Sequence, residues 1–144
     1  MNILRKASII PWPLFMGLIA VFLVACGTVP TGVDSTQYRL REAQLNLDTI
    51  AVALPAAGYS EDDLASLNRI IDKVQVVLDT AATLPGADAL ELIQTSIPVL
   101  RDLVAGLPNE RQRQDGTRIV ATINLAATLI QNQRTLEAEF GVAQ

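Results

Sequence analysis

Two residue types that many catalytic and metal sites require, cysteine and histidine, are rare or absent in this chain. Among its 144 residues there is one cysteine, Cys26, and no histidine. This excludes Cys/His nucleophilic pairs, Ser-His-Asp triads, CxxC redox centres and zinc sites built from His or Cys. The remaining acid/base candidates are Asp, Glu, Arg, Tyr and Lys73, and no spacing among them indicates a catalytic constellation. We therefore predict no catalytic residues and no enzyme activity.

The densest acidic cluster is Glu61, Asp62 and Asp63. Hard cations bind carboxylate oxygens, so one interpretation is a metal site. The same acids follow Ser60 in the pattern of a capping box. There the serine side chain accepts backbone amides, and the acids face the positive end of the helix dipole. We favour the capping interpretation and predict no metal site and no cofactor.

The densest basic cluster consists of Arg111 and Arg113, with Arg118 nearby. Three guanidinium groups suit anionic headgroups or a partner's carboxylate. Glu110 and Asp115 are interleaved with them and dilute the positive field, so we favour a solvated polar loop. The formal net charge of −4 also argues against nucleic acid as a partner, because phosphate binding requires clustered Lys and Arg.

The thiol of Cys26 lies at the end of an apolar run. Arg5 and Lys6 precede an uncharged stretch, and the most continuous apolar part of that stretch is residues 14–25. A bilayer span takes about 20 apolar residues. A shorter run behind a positive start is typical of a secretory signal peptide. The pattern therefore predicts a signal peptide over residues 1–25.

The end of the apolar run resembles a bacterial lipobox, with the sequence Leu23-Val24-Ala25-Cys26. The resemblance covers only the first 26 residues. It implies that lipid, such as palmitate, is attached to the cysteine sulfur and that the chain is cut just before it. The mature lipoprotein would then be held by acyl chains on the non-cytoplasmic side of the cell envelope.

The residue after the cysteine bears on which membrane is expected. Gly27 stands where an Asp would resemble an inner-membrane retention signal. The resemblance therefore implies the outer membrane, facing the periplasm, if the host has one. The alternative is an uncleaved transmembrane anchor with an incidental cysteine, which also leaves the rest of the chain outside the cytoplasm.

A short tether and a helical domain are predicted after the signal peptide. Residues 26–34 are interpreted as the lipidated cysteine and its tether, because they have turn chemistry and no periodicity. Residues 35–144 are interpreted as one helical domain, because apolar side chains recur there at spacings of three and four. The helical segments are 35–54, 61–84, 88–105 and 115–140.

Prolines mark the ends of these segments. Leu54, Leu84 and Leu107 each precede a proline, which disfavours helical geometry in the residue before it. Pro98 lies inside the third segment and is expected to kink that helix, or to split it with Ser96 as a new cap.

Four helices with short connections predict an all-α fold, a small antiparallel four-helix bundle. The alternative is a three-helix bundle with a separate first helix.

The first and fourth helices carry more apolar surface than one stripe each requires. We therefore define a candidate interaction face by residues that lie off the main stripes: Tyr38, Leu45, Val52, Leu125, Leu129 and Leu136. Surplus apolar surface indicates contact with another protein, another copy or lipid. The same residues would equally fit helices that are central in a deeply packed core.

Two functions follow from these patterns. The first is a membrane-anchored envelope lipoprotein whose domain is a non-enzymatic structural or protein-interaction module, with a protein partner or self-association. The alternative is a helical carrier or sensor that holds an apolar ligand between its aliphatic helices, where the Pro98 kink would open a cavity.

Overall fold

The structure is a computed structural model, and it describes residues 35–141. Within that range every regular element is helical, so the all-α prediction is confirmed there. The elements are α1 (Ser35–Ala53), a 3-10 helix (Leu54–Ala57), α2 (Glu61–Ala81), α3 (Gly86–Ala105) and α4 (Glu110–Phe140). The predicted signal peptide, lipobox, Cys26 and tether lie outside the described residues.

The four helices pack together around one aliphatic core. Every helix contributes side chains to it, and each fully buried Leu or Ile stabilises the fold by about 1.5–3 kcal/mol. The largest fully buried apolar side chains are Leu40, Leu47, Leu67, Val74, Leu78, Ile93, Ile119, Ile123 and Ile130. Because Leu40 and Leu47 of α1 belong to this core, the three-helix alternative with a separate first helix is wrong.

The start of α2 agrees with the sequence, and the start of α3 does not. The Ser60 hydroxyl accepts the backbone amide of Asp63 at 3.2 Å, as the capping interpretation requires. α3 begins at Gly86, two residues before the predicted Asp88. Its cap position is Pro85, whose carbonyl accepts the amide of Ala89 at 2.8 Å. The carboxylate of Asp88 therefore lies in the first turn instead of capping the helix.

The fourth helix begins five residues earlier than predicted. Asn109 is its cap, and the Oδ1 atom of Asn109 accepts the backbone amide of Gln112 at 2.8 Å. The interpretation of residues 110–114 as a solvated loop is therefore wrong: Arg111 and Arg113 lie on the first turns of α4. Asn109 directly follows Pro108. A cap residue placed just after a helix-ending proline was the signal that could have predicted this earlier start.

Pro98 does not split α3, which runs without a break from Gly86 to Ala105. Proline lacks the amide that would bond the carbonyl four residues earlier. The missing hydrogen bond leaves the Gln94 carbonyl free on an exposed side of the helix, where water can bond it. Instead of capping a new helix, the Ser96 hydroxyl donates to the Leu92 carbonyl at 2.7 Å.

Polar contacts fix how neighbouring helices meet. The Gln37 amide of α1 donates to the Ala82 carbonyl, just after α2, at 2.7 Å. The Gln94 amide of α3 donates to the Gln131 side chain of α4 at 3.3 Å. Gly86 allows the start of α3 to approach α1 closely, since a Cβ there would lie 2.9 Å from a side-chain oxygen of α1.

Candidate interaction surfaces

The α1 part of the candidate interaction face is turned away from the core. Leu45 is 62% exposed and Val52 is 80% exposed. At about 100° per residue, both lie roughly 140–160° around the helix from the buried Leu47. Tyr38 is half-buried, and the guanidinium carbon of Arg39 lies 5.6 Å from its ring centroid. The exposed apolar surface of α1 is thus centred on Leu45 and Val52.

The α4 part of the face is also largely exposed. Leu125 and Leu136 are exposed, whereas Leu129 is half-buried. Phe140 is exposed one turn beyond Leu136 and extends the same line. Sequence reasoning did not select Phe140, although its spacing of four from Leu136 was a usable signal.

The wide apolar circumference of α4 has two separate causes. α4 contacts α1, α2 and α3, so it buries a broader sector than a helix with two neighbours. Val120 and Ala127 lie in that broader sector and are buried. Leu125 and Leu136 lie outside it. One part of the surplus apolar surface is therefore core, and another part faces outward.

A third exposed apolar area lies between α2 and α3, and sequence reasoning did not identify it. A groove of about 410 Å³ is lined there by Val76, Val99 and Leu103, with Asp72 and Lys73 also at its walls. Val76 is 64% exposed and Val99 is 60% exposed. The available signal was that these side chains lie off the main apolar stripes of their helices.

A larger groove, of about 480 Å³, lies between α3 and α4. Its floor contains Val104 and Val120, which are nearly buried. Arg101 and Arg113 also line it, and the small side chain of Ala121 leaves it open along α4. The groove therefore combines an apolar floor with cationic groups.

A polar junction joins the connection between α1 and α2 to the start of α4. The Tyr59 hydroxyl donates to the Asp115 carboxylate at 2.5 Å, and Arg118 donates to the same carboxylate at 3.0 Å. The Arg111 guanidinium lies 4.7 Å from the Tyr59 ring centroid and donates to the Ala57 carbonyl. Burial, and then the hydrogen bond to Asp115, raise the pKa of Tyr59 above its ordinary value.

Tyr59 should ionise at a pH above the ordinary tyrosine value of 10.0. Because the folded state raises its pKa, the junction contributes stability below pH 10 and loses it as the pH rises through the raised pKa. The chain has two tyrosines, so a Tyr38→Phe variant isolates Tyr59. In a spectrophotometric titration of this variant, we expect the tyrosinate midpoint above 10.0. A midpoint at or below that value would show that the junction does not form in solution.

The three arginines of the predicted basic cluster have partners within residues 35–141. Arg113 pairs with Glu110 at 2.9 Å, and this hydrogen bond lowers the pKa of the Glu110 carboxyl. Arg118 pairs with Asp115, and Arg111 lies over an aromatic ring. Their charges are therefore used mainly to order the first turns of α4.

The acidic cluster forms the first turn of α2. The buried Gln112 of α4 reaches this turn, and its amide nitrogen donates to the carbonyl and to the carboxylate of Asp63 at 3.2 and 3.1 Å. Asp63 thus joins α2 to α4, a role that the sequence did not indicate. Among residues 35–141, no three potential metal-ligating side chains of Asp, Glu or Cys converge.

Searches of protein-family models, curated proteins and solved structures found no match to this chain. No helix in the described range 35–141 has both the length and the apolar character needed to cross a membrane.

Proposed function

We propose that this protein is a membrane-anchored envelope lipoprotein whose helical domain acts as a non-enzymatic structural or protein-interaction module. The observation that carries the proposal is the exposure of Leu45 and Val52 on the side of α1 away from the core. Two large aliphatic side chains one heptad apart form an apolar line that a partner or a second copy would bury. Replacing both with Asp tests the module, because carboxylates oppose burial in an apolar contact.

The helices in this proposal form an antiparallel up-and-down bundle. Two observations support the arrangement. The start of α1 meets the end of α2 through Gln37. Residue numbers run in opposite directions along α3 and α4, since Val104 lies against Gly116 and Gln94 contacts Gln131. The polar junction at Tyr59 supports it too, because it joins the far end of α1 to the start of α4. A rigid bundle of this kind keeps the exposed faces of its helices in fixed relative positions.

The anchor in this proposal is lipid on Cys26, the only thiol in the chain. Stable anchoring takes more than one acyl chain, because a single chain binds a membrane only marginally. The tether that follows is short, so the bundle would stay close to the bilayer surface.

Metabolic labelling with palmitate tests the anchor. The full chain, expressed in bacteria, should incorporate the label and begin at residue 26. Cys26→Ser should abolish incorporation, because no other cysteine can accept the lipid. Native protein that begins at Met1 and carries no acyl mass would contradict the lipoprotein assignment, and the localisation would then have to be revised.

The alternative function, a carrier or sensor of an apolar ligand, is favoured by one observation, the groove between α3 and α4. Its volume of about 480 Å³ is in the range of small-molecule sites. It lies at the surface between two helices instead of replacing part of the aliphatic core. This candidate therefore does not require the cavity at Pro98 that the sequence suggested.

A further inference from the structure

We propose that the groove between α3 and α4 binds a free medium-chain fatty acid. The carboxylate is held by Arg101, and the alkyl chain lies over Val104 and Val120. This proposal rests on the alternative carrier function, whose ligand it names, and the site uses none of the residues of the candidate interaction face. It can therefore exist whether or not that face binds a partner.

The apolar part of the groove suits an alkyl chain. Val104 and Val120 lie in its floor and keep only a small exposed fraction, which an alkyl chain would cover. Ala105 and Ala121 are exposed and line it as well, and their small side chains leave space above the floor. An alkyl chain placed there would remove apolar surface of both partners from water, which is favourable in proportion to the area buried.

The charge of the groove selects an anionic headgroup. Arg113 is already paired with Glu110. Arg101, by contrast, makes no hydrogen bond or ion pair with any residue in the range 35–141. An uncompensated guanidinium beside an apolar floor is complementary to a carboxylate, which it can bind through two parallel hydrogen bonds. One free arginine matches the single charge of a carboxylate better than the higher charge of a phosphate monoester.

The register of the two helices sets the direction of the ligand. A Cβ on Gly116 would lie 3.0 Å from Val104, so these residues are at the same level. In the proposed antiparallel bundle, Arg101 then lies at the level of Ile119. From there the groove extends toward the connection between α3 and α4, about 6 Å along α3 to Ala105 and about 9 Å along α4 to Arg113. The headgroup therefore binds at the Arg101 end, and the chain runs toward that connection.

Photolabelling of the full chain in its membrane fraction tests the site. The probe is dodecanoate with a diazirine in the alkyl chain, and the adducts are located by peptide mass spectrometry. We expect saturable labelling within residues 104–121, with competition by dodecanoate and little competition by dodecyl phosphate at equal concentration. A matched probe with an alcohol in place of the carboxylate should label weakly.

Two variants and one control complete the experiment. Arg101→Gln should reduce labelling about tenfold, the loss expected for one charge-assisted hydrogen bond. Ala121→Leu keeps the arginine and fills the groove, so it should also reduce labelling. Arg69→Gln is the control, because Arg69 is exposed on α2 and has no partner in the described range.

Four results would overturn the proposal: labelling unaffected by Arg101→Gln, equal labelling by the alcohol probe, stronger competition by dodecyl phosphate, or adducts spread over the exposed residues of α1 and α2. Each is independent of the assembly test at Leu45 and Val52. A negative result here therefore leaves the proposed interaction module standing, and failure of the module does not affect this site.

Discussion

Replacing both Leu45 and Val52 with Asp should abolish assembly of this protein while leaving its helix content unchanged. Both side chains point away from the aliphatic core, so two carboxylates there remain hydrated in a single copy. In an assembly they would be buried without partners, which is strongly unfavourable. The wild type, extracted from its membrane in mild detergent, should migrate on a native gel as a species larger than one copy. The double variant should migrate as one copy with wild-type circular dichroism.

A matched control comes from the groove between α2 and α3. Val76 and Val99 are 64% and 60% exposed, close to the exposure of the tested pair, and both face outward. We expect a Val76→Asp/Val99→Asp variant to assemble like the wild type. If this control loses assembly and the α1 variant keeps it, the contact surface is on α2 and α3. Loss of helicity in the α1 variant would instead assign Leu45 and Val52 to the core.

Gly116→Leu should destabilise the bundle strongly, lowering the free energy of unfolding by about 3 kcal/mol. A Cβ at this position would lie 3.0 and 3.1 Å from the methyl groups of Val104 and 3.1 Å from Leu107. Leucine would add three more carbon atoms in the same space, and overpacking of this kind costs about 1–3 kcal/mol or more. Leucine has a better helix propensity than glycine, which favours the variant by up to about 1 kcal/mol, and the expected loss already includes this gain. Urea unfolding followed by circular dichroism measures it.

Gly106→Ala is a control for that measurement, because it adds a side chain to a glycine that has room for one. Gly106 lies at the α3–α4 connection, and a Cβ there would be 3.5 Å from the Leu103 carbonyl oxygen, an ordinary contact. Its φ of −76° suits any residue. We expect the free energy of unfolding to change by less than about 0.5 kcal/mol. Wild-type stability of Gly116→Leu would mean that α3 and α4 are less closely packed than described.

The helical segments could be predicted because their determinants are local. The 3–4 spacing of apolar residues in α2 identifies Leu67, Val74 and Leu78, and all three are buried. Ser60 caps α2 from a position next to the segment that it starts. Proline acts locally, on its own φ and amide and on the residue before it. Each Leu-Pro pair therefore marked a true connection, although α2 ends at Ala81, three residues before its pair.

The start of α4 was mispredicted because its determinants are only partly local. Asn109 caps the helix from a neighbouring position. Gln112, however, is fully buried because it donates to Asp63, which is 49 residues away in the chain. A glutamine between two arginines has the pattern of a solvated loop. Nothing in that stretch indicates the distant partner that makes its burial favourable.

Over residues 35–141, the sequence by itself determined the all-α class, the number of α-helices and, through apolar periodicity, which side of each helix turns inward. Only the tertiary structure decided the fate of the remaining apolar residues: Val120 is buried, whereas Leu45 and Val52 are exposed. Periodicity describes one helix at a time. Burial of an off-stripe side chain depends on how many helices surround it, and α4 contacts all three of the others.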